Sequence, residues 1–210
     1  EILVLDDDSS DDTLRELQDQ HGSDPRVKIH SRQGRERGLA LSILDGIHLA
    51  TGAHLIVMDS DFNHDPSVIP QMVLMMEYYD IVSGSRFSPG GGMQSRGRYW
   101  CSFVFNAWIR VLLMMPTRDN LAGFYCIRRS CMMEYDLGNT FKNYGDYFFR
   151  LLYQARRLRH RLLEIPVWYR ERDFGQSKTR FIPTLMLYTR EALLVRRLFR
   201  NSRPAREGKT

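Results

Sequence analysis

His54-Leu55-Ile56-Val57-Met58-Asp59-Ser60-Asp61 is a mostly apolar run that ends in two carboxylates one residue apart. The apolar part reads as a buried strand, and in open α/β sheets ligands bind in the crevice beyond the strands' carboxyl ends. Paired carboxylates there can hold a divalent cation against a diphosphate, and oxygen donors of this kind suit Mg²⁺ or Mn²⁺. Asp after a strand is also ordinary turn chemistry, so the pattern alone is weak. Its neighbours raise it.

On the amino-terminal side, residues 2–5 form a short apolar run, and the acidic and hydroxyl residues after it can cap a helix starting near Thr13. Leu14 and Leu17 give that helix its inner face, and Val27-Lys28-Ile29 reads as a second strand. Leu39, Ile43, Leu44, Ile47 and Ala50 recur at helical spacing, with Gly52 as a stop. Beyond the carboxylates, Asp65-Pro66 opens another helix, and 80–83 reads as a strand. This βαβα order predicts an α/β fold with a mainly parallel sheet covered by helices.

From Phe87 the texture changes. Residues 88–92, Ser-Pro-Gly-Gly-Gly, read as a mobile loop. A long apolar helix is expected over 100–115, then a strand over 123–127, a helix over 146–159 and a strand over 162–167. An amphipathic helix over 182–199 follows. No internal repeat or second domain is visible, so 1–210 is expected to be one domain. Within it, 1–86 and 87–199 differ in texture, and 200–210 is a basic tail.

The 210 residues, 43% hydrophobic and 26% charged, exclude wholesale disorder. The net charge of +5 is concentrated near the C-terminus at Arg196, Arg197, Arg200, Arg203 and Arg206, which suits an anionic lipid surface, a nucleic acid or solvent. No nucleic-acid recognition module accompanies it. Cys101, Cys126 and Cys131 sit in apolar sequence without zinc or redox spacing and are expected to be reduced thiols facing the cytosol. The six histidines show no metal-ligand spacing. No signal peptide is seen, and no apolar run reaches the ~20 residues of a spanning helix. The stretch 100–115, interrupted by Asn106 and Arg110, is expected to lie on a membrane or against a partner, with core packing as the alternative.

Several segments in order resemble the family-2 inverting glycosyltransferases of the GT-A (Rossmann-like) fold, and within them the dolichyl- or polyprenyl-phosphate mannosyltransferases. They are Glu1 to Asp7 with Ser9, Asp11 and Thr13; Gly38-Leu39-Ala40 with Gly46, Ala50 and Gly52; and Asp59 to Pro66. Ser83-Gly84-Ser85-Arg86, Arg98 with Ser102 and Asn106, Asp119 with Gly123-Phe124, and Arg172 with Gly175-Gln176-Ser177-Lys178 complete the series.

The resemblance implies transfer of a hexose, mannose from GDP-mannose first, to a dolichyl or polyprenyl phosphate with inversion. It implies a Mg²⁺ or Mn²⁺ held by Asp59 and Asp61, with Asn63 where the family often has a Gln. Asp7 matches the carboxylate that contacts the nucleobase; Asp6 joins it, and for both the alternative is capping the following helix. Arg86, Arg98, Ser102, Arg172, Ser177 and Lys178 are candidates for gripping the acceptor phosphate, with Asp61, Arg86 and Lys178 closest to catalysis. The location implied is peripheral, at the cytosolic face of the endoplasmic reticulum or of a bacterial or archaeal plasma membrane, with small membrane-anchoring subunits as further partners.

The sequence also departs from that pattern. It starts at the family's second strand, lacking the usual opening strand that lies inside the sheet and contributes to the nucleotide pocket. Asp8 replaces a Gly and can carry positive φ. Phe148 and Arg150 stand where relatives often have Gln and Glu, with Asp146 as a compensating carboxylate. No C-terminal transmembrane pair follows, as in the short members. Two other readings remain: a related transferase using UDP-glucose or a hydroxyl acceptor, and a non-catalytic scaffold for lipid phosphate or a partner protein.

Overall fold

Ile2–Asp6 (β1) and Val27–Ser31 (β2) pair in parallel, and Thr13–His21 (α1) makes the crossover that a parallel pair requires. A computed structural model describes residues 1–61, 63–142, 145–170 and 181–199. Leu39–Leu49 (α2) packs on β1, with Gly46 so close to Leu5 that a Cβ would meet its Cδ2 at 3.3 Å. His54–Val57 (β3) follows. Asp65 then caps a 3₁₀ turn, Pro66–Val68, by accepting the Ser67 N–H at 2.9 Å, and Ile69–Met75 (α3) continues it.

The main sheet has the order β3-β6-β4-β7, with β4 Ile81–Ser85, β6 Tyr125–Arg128 and β7 Leu162–Pro166. β4 is parallel to β7, and β6 runs antiparallel to both β3 and β4. The expected parallel direction therefore holds for β3, β4 and β7, and β6 makes the sheet mixed. The apolar run of β6 carries no sign of its direction, which the path of the chain before it decides.

All five residues of β4 are buried. A Cβ on Gly84 would stand 2.8 Å from Val167 Cγ1 and 3.3 Å from the Phe124 ring. Gly84→Ala should therefore cost about 1–3 kcal/mol, read as a lower unfolding midpoint; an unchanged midpoint would contradict this packing.

Among the described residues, β1 and β2 form a sheet separate from the main four-stranded one.

The glycine run corrects one expectation. Gly92–Met93 (β5) pairs in parallel with Trp168–Tyr169 (β8), so the end of the expected mobile loop is a short strand. Only glycine fits there: a Cβ on Gly92 would be 2.3 Å from the Trp168 ring, and one on Gly91 2.4 Å from the Ser85 carbonyl oxygen.

Arg96–Leu113 (α4) and Phe181–Leu198 (α8) lie against each other, joined by Trp108 Nε1 donating to Thr189 Oγ1 at 2.8 Å. Phe105, Ile109 and Leu113 of α4 face the core, and Trp100, Val104, Val111 and Met114 are exposed. One side of the helix is therefore core, as the alternative reading expected, and the other is an exposed apolar surface.

Arg129–Met132 (α5) and Leu137–Thr140 (α6) are short, while Tyr147–Arg157 (α7) is buried from Tyr147 to Ala155. Phe148 stacks on Tyr125 at 5.1 Å. Arg150, 2% exposed, binds Asp146 at 2.7 Å, the Asn139 carbonyl at 3.1 Å and Glu191 of α8. Cys126 and Cys131 are buried, and burial pushes the Cys126 thiol up to about 12; Cys101 is exposed, contrary to its apolar sequence surroundings.

Candidate active site

The turn after β3 folds back on itself. The Asp59 N–H donates to His64 Nδ1 at 3.0 Å, and the Asn63 N–H donates to Asp61 Oδ1 at 3.2 Å. Asp59 and Asp61 are half-buried and Asn63 is buried. His64, 1% exposed, stacks on Phe124 (4.9 Å, 12° between planes) and meets the Tyr169 ring edge-on at 4.8 Å.

Tyr169 joins this turn to the end of β4. Its hydroxyl donates to the Ala122 carbonyl at 2.7 Å, and burial pushes its phenol well up, with Asp119 and Asp59 adding and Arg86 opposing. The Arg86 guanidinium lies over the Tyr169 ring at 4.8 Å. Arg86 Nε and Nη2 each donate to Asp119 at 2.7 Å, and the Arg86 backbone N–H donates to the same carboxylate at 3.0 Å. Burial works to lower the Arg86 pKa, and the carboxylate of Asp119 more than offsets it, so the guanidinium is held above its ordinary range. Glu164 of β7 fixes the Asp119 loop by accepting the N–H groups of Arg118 and Asp119, both at 2.8 Å.

The acceptor-side candidates lie near that loop. Asn106 donates to the Ser102 carbonyl at 2.8 Å and accepts the Asn120 N–H at 2.6 Å, tying α4 to the residue after Asp119. Ser102 is half-buried, and Arg98, one turn earlier, is exposed. Arg172, Ser177 and Lys178 lie outside the described residues. A cavity of about 790 Å³ opens between Phe87, Phe103, Val111 and Met114, with Arg110 and Arg118 at its wall. Arg118 Nη1 donates to the Phe87 carbonyl at 3.4 Å, and the Phe87 ring, which lines this groove, lies 5.4 Å from the Arg86 guanidinium.

Asp6 and Asp7 close β1, in the two-stranded sheet. Asp6 accepts the Ser9 N–H at 3.2 Å, and Asp8 takes the left-handed φ of 62° that the tight turn requires. Asp7 accepts the Gly38 N–H at 2.7 Å, just before α2, and pairs with Arg32. Arg32, 4% exposed, also binds Asp45 at 2.7 Å, Ser42 at 3.0 Å and the Glu36 carbonyl at 3.0 Å. Asp6 thus holds its own turn, and Asp7 ties the end of β1 to Arg32 and to the start of α2.

The structure therefore links Asp59, Asp61, Asn63 and Arg86 through His64 and Tyr169. The sequence reading missed both of these, although His64 lies within the carboxylate motif. The donor set of Asp59, Asp61 and Asn63 is all oxygen and sits in one tight turn, which fits a hard cation such as Mg²⁺ or Mn²⁺.

This fold, with its acidic strand end, is that of the GT-A glycosyltransferases. Glucosyl-3-phosphoglycerate synthase from Mycobacterium tuberculosis with phosphoglyceric acid superposes with a TM-score of 0.66 at 17% identity, covering 93% of this chain and 68% of that one. The same enzyme with Mn²⁺, UDP and glucosyl-3-phosphoglycerate gives 0.63 at 18% identity over 95% and 68%. The chain belongs to glycosyl transferase family 2, whose pattern matches residues 1–200. It is 30% identical to undecaprenyl-phosphate mannosyltransferase of Micrococcus luteus over 85% of this chain and 75% of that protein. It is 29% identical to dolichol-phosphate mannosyltransferase of Pyrococcus furiosus over 85% of this chain, and spans half of that relative's length.

Proposed function

We propose that this glycosyltransferase moves a hexose, mannose from GDP-mannose first, to a dolichyl or polyprenyl phosphate with inversion. One observation carries the reading: a continuous line of contacts runs from Asp59 through His64, Tyr169 and Arg86 to a groove with apolar walls and two arginines. A diphosphate sugar at one end and a lipid phosphate at the other match that polarity.

Asp59, Asp61 and Asn63 would hold the divalent cation, which when bound neutralises the diphosphate as it leaves. The acceptor phosphate is already anionic near neutral pH, so it attacks the anomeric carbon without a dedicated base. The new C–O bond forms as the bond to the diphosphate breaks, and the electron pair leaves with the nucleoside diphosphate. Asp119 takes two of the five guanidinium N–H donors of Arg86, and we assign the rest of that fork to the acceptor phosphate, with Arg98, Ser102, Arg172, Ser177 and Lys178 around it. Asp6 and Asp7 shape the turn expected to face the nucleobase.

No described helix is long and apolar enough to cross a membrane. The exposed apolar side chains of α4 and α8, with Arg110, Arg190 and Arg197 among them, suit peripheral binding to an anionic lipid surface.

The test is transfer of labelled mannose from GDP-mannose to a short polyprenyl phosphate, with and without Mn²⁺, and with UDP-glucose as rival donor. Metal-dependent, lipid-soluble product from GDP-mannose is expected. Lys178→Ala should then raise the acceptor KM at least about tenfold, as loss of one charge-assisted phosphate contact implies, and leave donor binding unchanged. Product from UDP-glucose alone would change the sugar, and product only with free sugar hydroxyls would overturn the acceptor.

A further inference from the structure

Cys131 and Glu134 are one helical turn apart and His160 lies 26 residues beyond Glu134 in sequence, yet the ligand atoms of all three lie within 4.8 Å of one another. The place is well defined. β6 ends at Arg128, opposite His54 at the start of β3, so α5 and Cys131 sit at the end of the sheet remote from Asp59. His160 is delivered to the same end by a left-handed turn at Arg159 (φ 59°) that closes α7, where the His160 N–H reaches the Ala155 carbonyl at 3.0 Å.

The side chains have the order of a metal site. His160 Nδ1 is 2.7 Å from the Tyr135 hydroxyl, and its other nitrogen, Nε2, is 3.4 Å from Glu134 Oε2. Zn–N and Zn–O bonds of about 2.0–2.1 Å at tetrahedral angles put such donors about 3.3 Å apart. The His160–Glu134 edge is therefore already at coordination spacing. A tetrahedral edge to sulfur is about 3.6 Å for a Zn–S bond of about 2.3 Å, so from a separation of no more than 4.8 Å the thiol needs to close by at most about 1.2 Å. The Tyr135 contact on Nδ1 is the outer partner that orients a metal-bound imidazole and fixes its tautomer.

Cys131 is buried and the His160 side chain is 11% exposed, while Glu134 is 55% exposed and forms the mouth. The nearby guanidinium groups of Arg128 and Arg161 are both engaged by Asp80.

We propose that Cys131, Glu134 and His160 form a second cation site, selective for borderline-soft divalent ions of the Zn²⁺ class. Mixed sulfur, nitrogen and carboxylate donors favour Zn²⁺ over Mg²⁺, and three protein ligands leave a fourth position for water. The ion clips the turn after β6 to the turn between α7 and β7. This site is independent of the sugar-transfer reading.

The test is Co²⁺ titration of metal-free protein in excess Mg²⁺, which occupies oxygen-only sites. One equivalent should produce a thiolate-to-cobalt band in the near ultraviolet with the visible bands of a four-coordinate ion, and Zn²⁺ should displace both. Cys131→Ser should abolish the thiolate band, while Cys101→Ser and Asp61→Asn should leave it intact. Glu134→Gln, a change at an exposed side chain that the fold tolerates, should weaken Co²⁺ at least about tenfold, and it decides the matter if Cys131→Ser does not fold. Absence of a thiolate band, its survival in Cys131→Ser, or an unchanged Co²⁺ affinity in Glu134→Gln would each overturn the site.

Discussion

Asp61→Asn is expected to reduce transfer at least about a thousandfold, roughly 4 kcal/mol of transition-state stabilisation. The substitution is conservative in shape. Asn at this position keeps an Oδ1 to accept the Asn63 N–H, the contact that holds the turn. What disappears is the charge, so the loss falls on the cation and on the leaving diphosphate, and the fold is spared. The measurement is kcat at saturating donor and Mn²⁺, beside an unfolding curve for the same protein. Asp65→Asn is the control: its carboxylate caps the next turn through Ser67, and its change should alter rate little. Turnover of Asp61→Asn within threefold of the parent would remove Asp61 from the metal assignment.

Arg150→Ala is expected to lower stability by about 3–5 kcal/mol, the usual result of breaking a buried ion pair from one side. It takes the guanidinium away from two buried carboxylates, Asp146, 1% exposed, and Glu191, 7% exposed, and removes the ion pair that ties α8 to α7. At about 2–4 °C per kcal/mol for a chain of this size, the unfolding midpoint should fall by roughly 6–20 °C. Adding Glu191→Gln should recover part of the loss, because one stranded charge is then gone. A midpoint shift under about 2 °C would contradict the triad. Arg150, Asp146 and Glu191 together brace α7 against α8.

The sequence disclosed what depends on local pattern. The apolar run before Asp59, the spacing of Leu39 to Ala50 and the Asp65-Pro66 start all appear as elements close to their expected places. It hid whatever depends on contacts across the fold. Tyr125-Cys126-Ile127 reads as a strand in either direction, and only pairing with β3 and β4 makes it antiparallel. Ser-Pro-Gly-Gly-Gly reads as a free loop because the ring of Trp168, which requires Gly92, is 76 residues away.

The site divides in the same way. Asp59 and Asp61 announce themselves by position. Arg86, by contrast, reads as a free cation until Asp119, 33 residues on, takes two edges of its guanidinium. His64 and Tyr169 meet only in three dimensions. Arg172, Ser177 and Lys178 fall outside the described residues, so their assignment rests on the resemblance and on the Lys178→Ala assay.

The strand order also sets a timetable for biosynthesis. β4 ends up buried between β6 and β7, yet Ile81 pairs with Ile127 and Leu162, 46 and 81 residues later. At about 5–20 residues per second on the ribosome, β7 emerges about 4–16 s after β4. Through that interval an apolar Ile-Val edge has no strand to cover it, which is the condition in which nascent chains pair wrongly or recruit chaperones. β1 and β2, only 25 residues apart in register, are complete long before. Premature release between residues 86 and 125, before either neighbour of β4 exists, should therefore give the most aggregation-prone fragments of this protein.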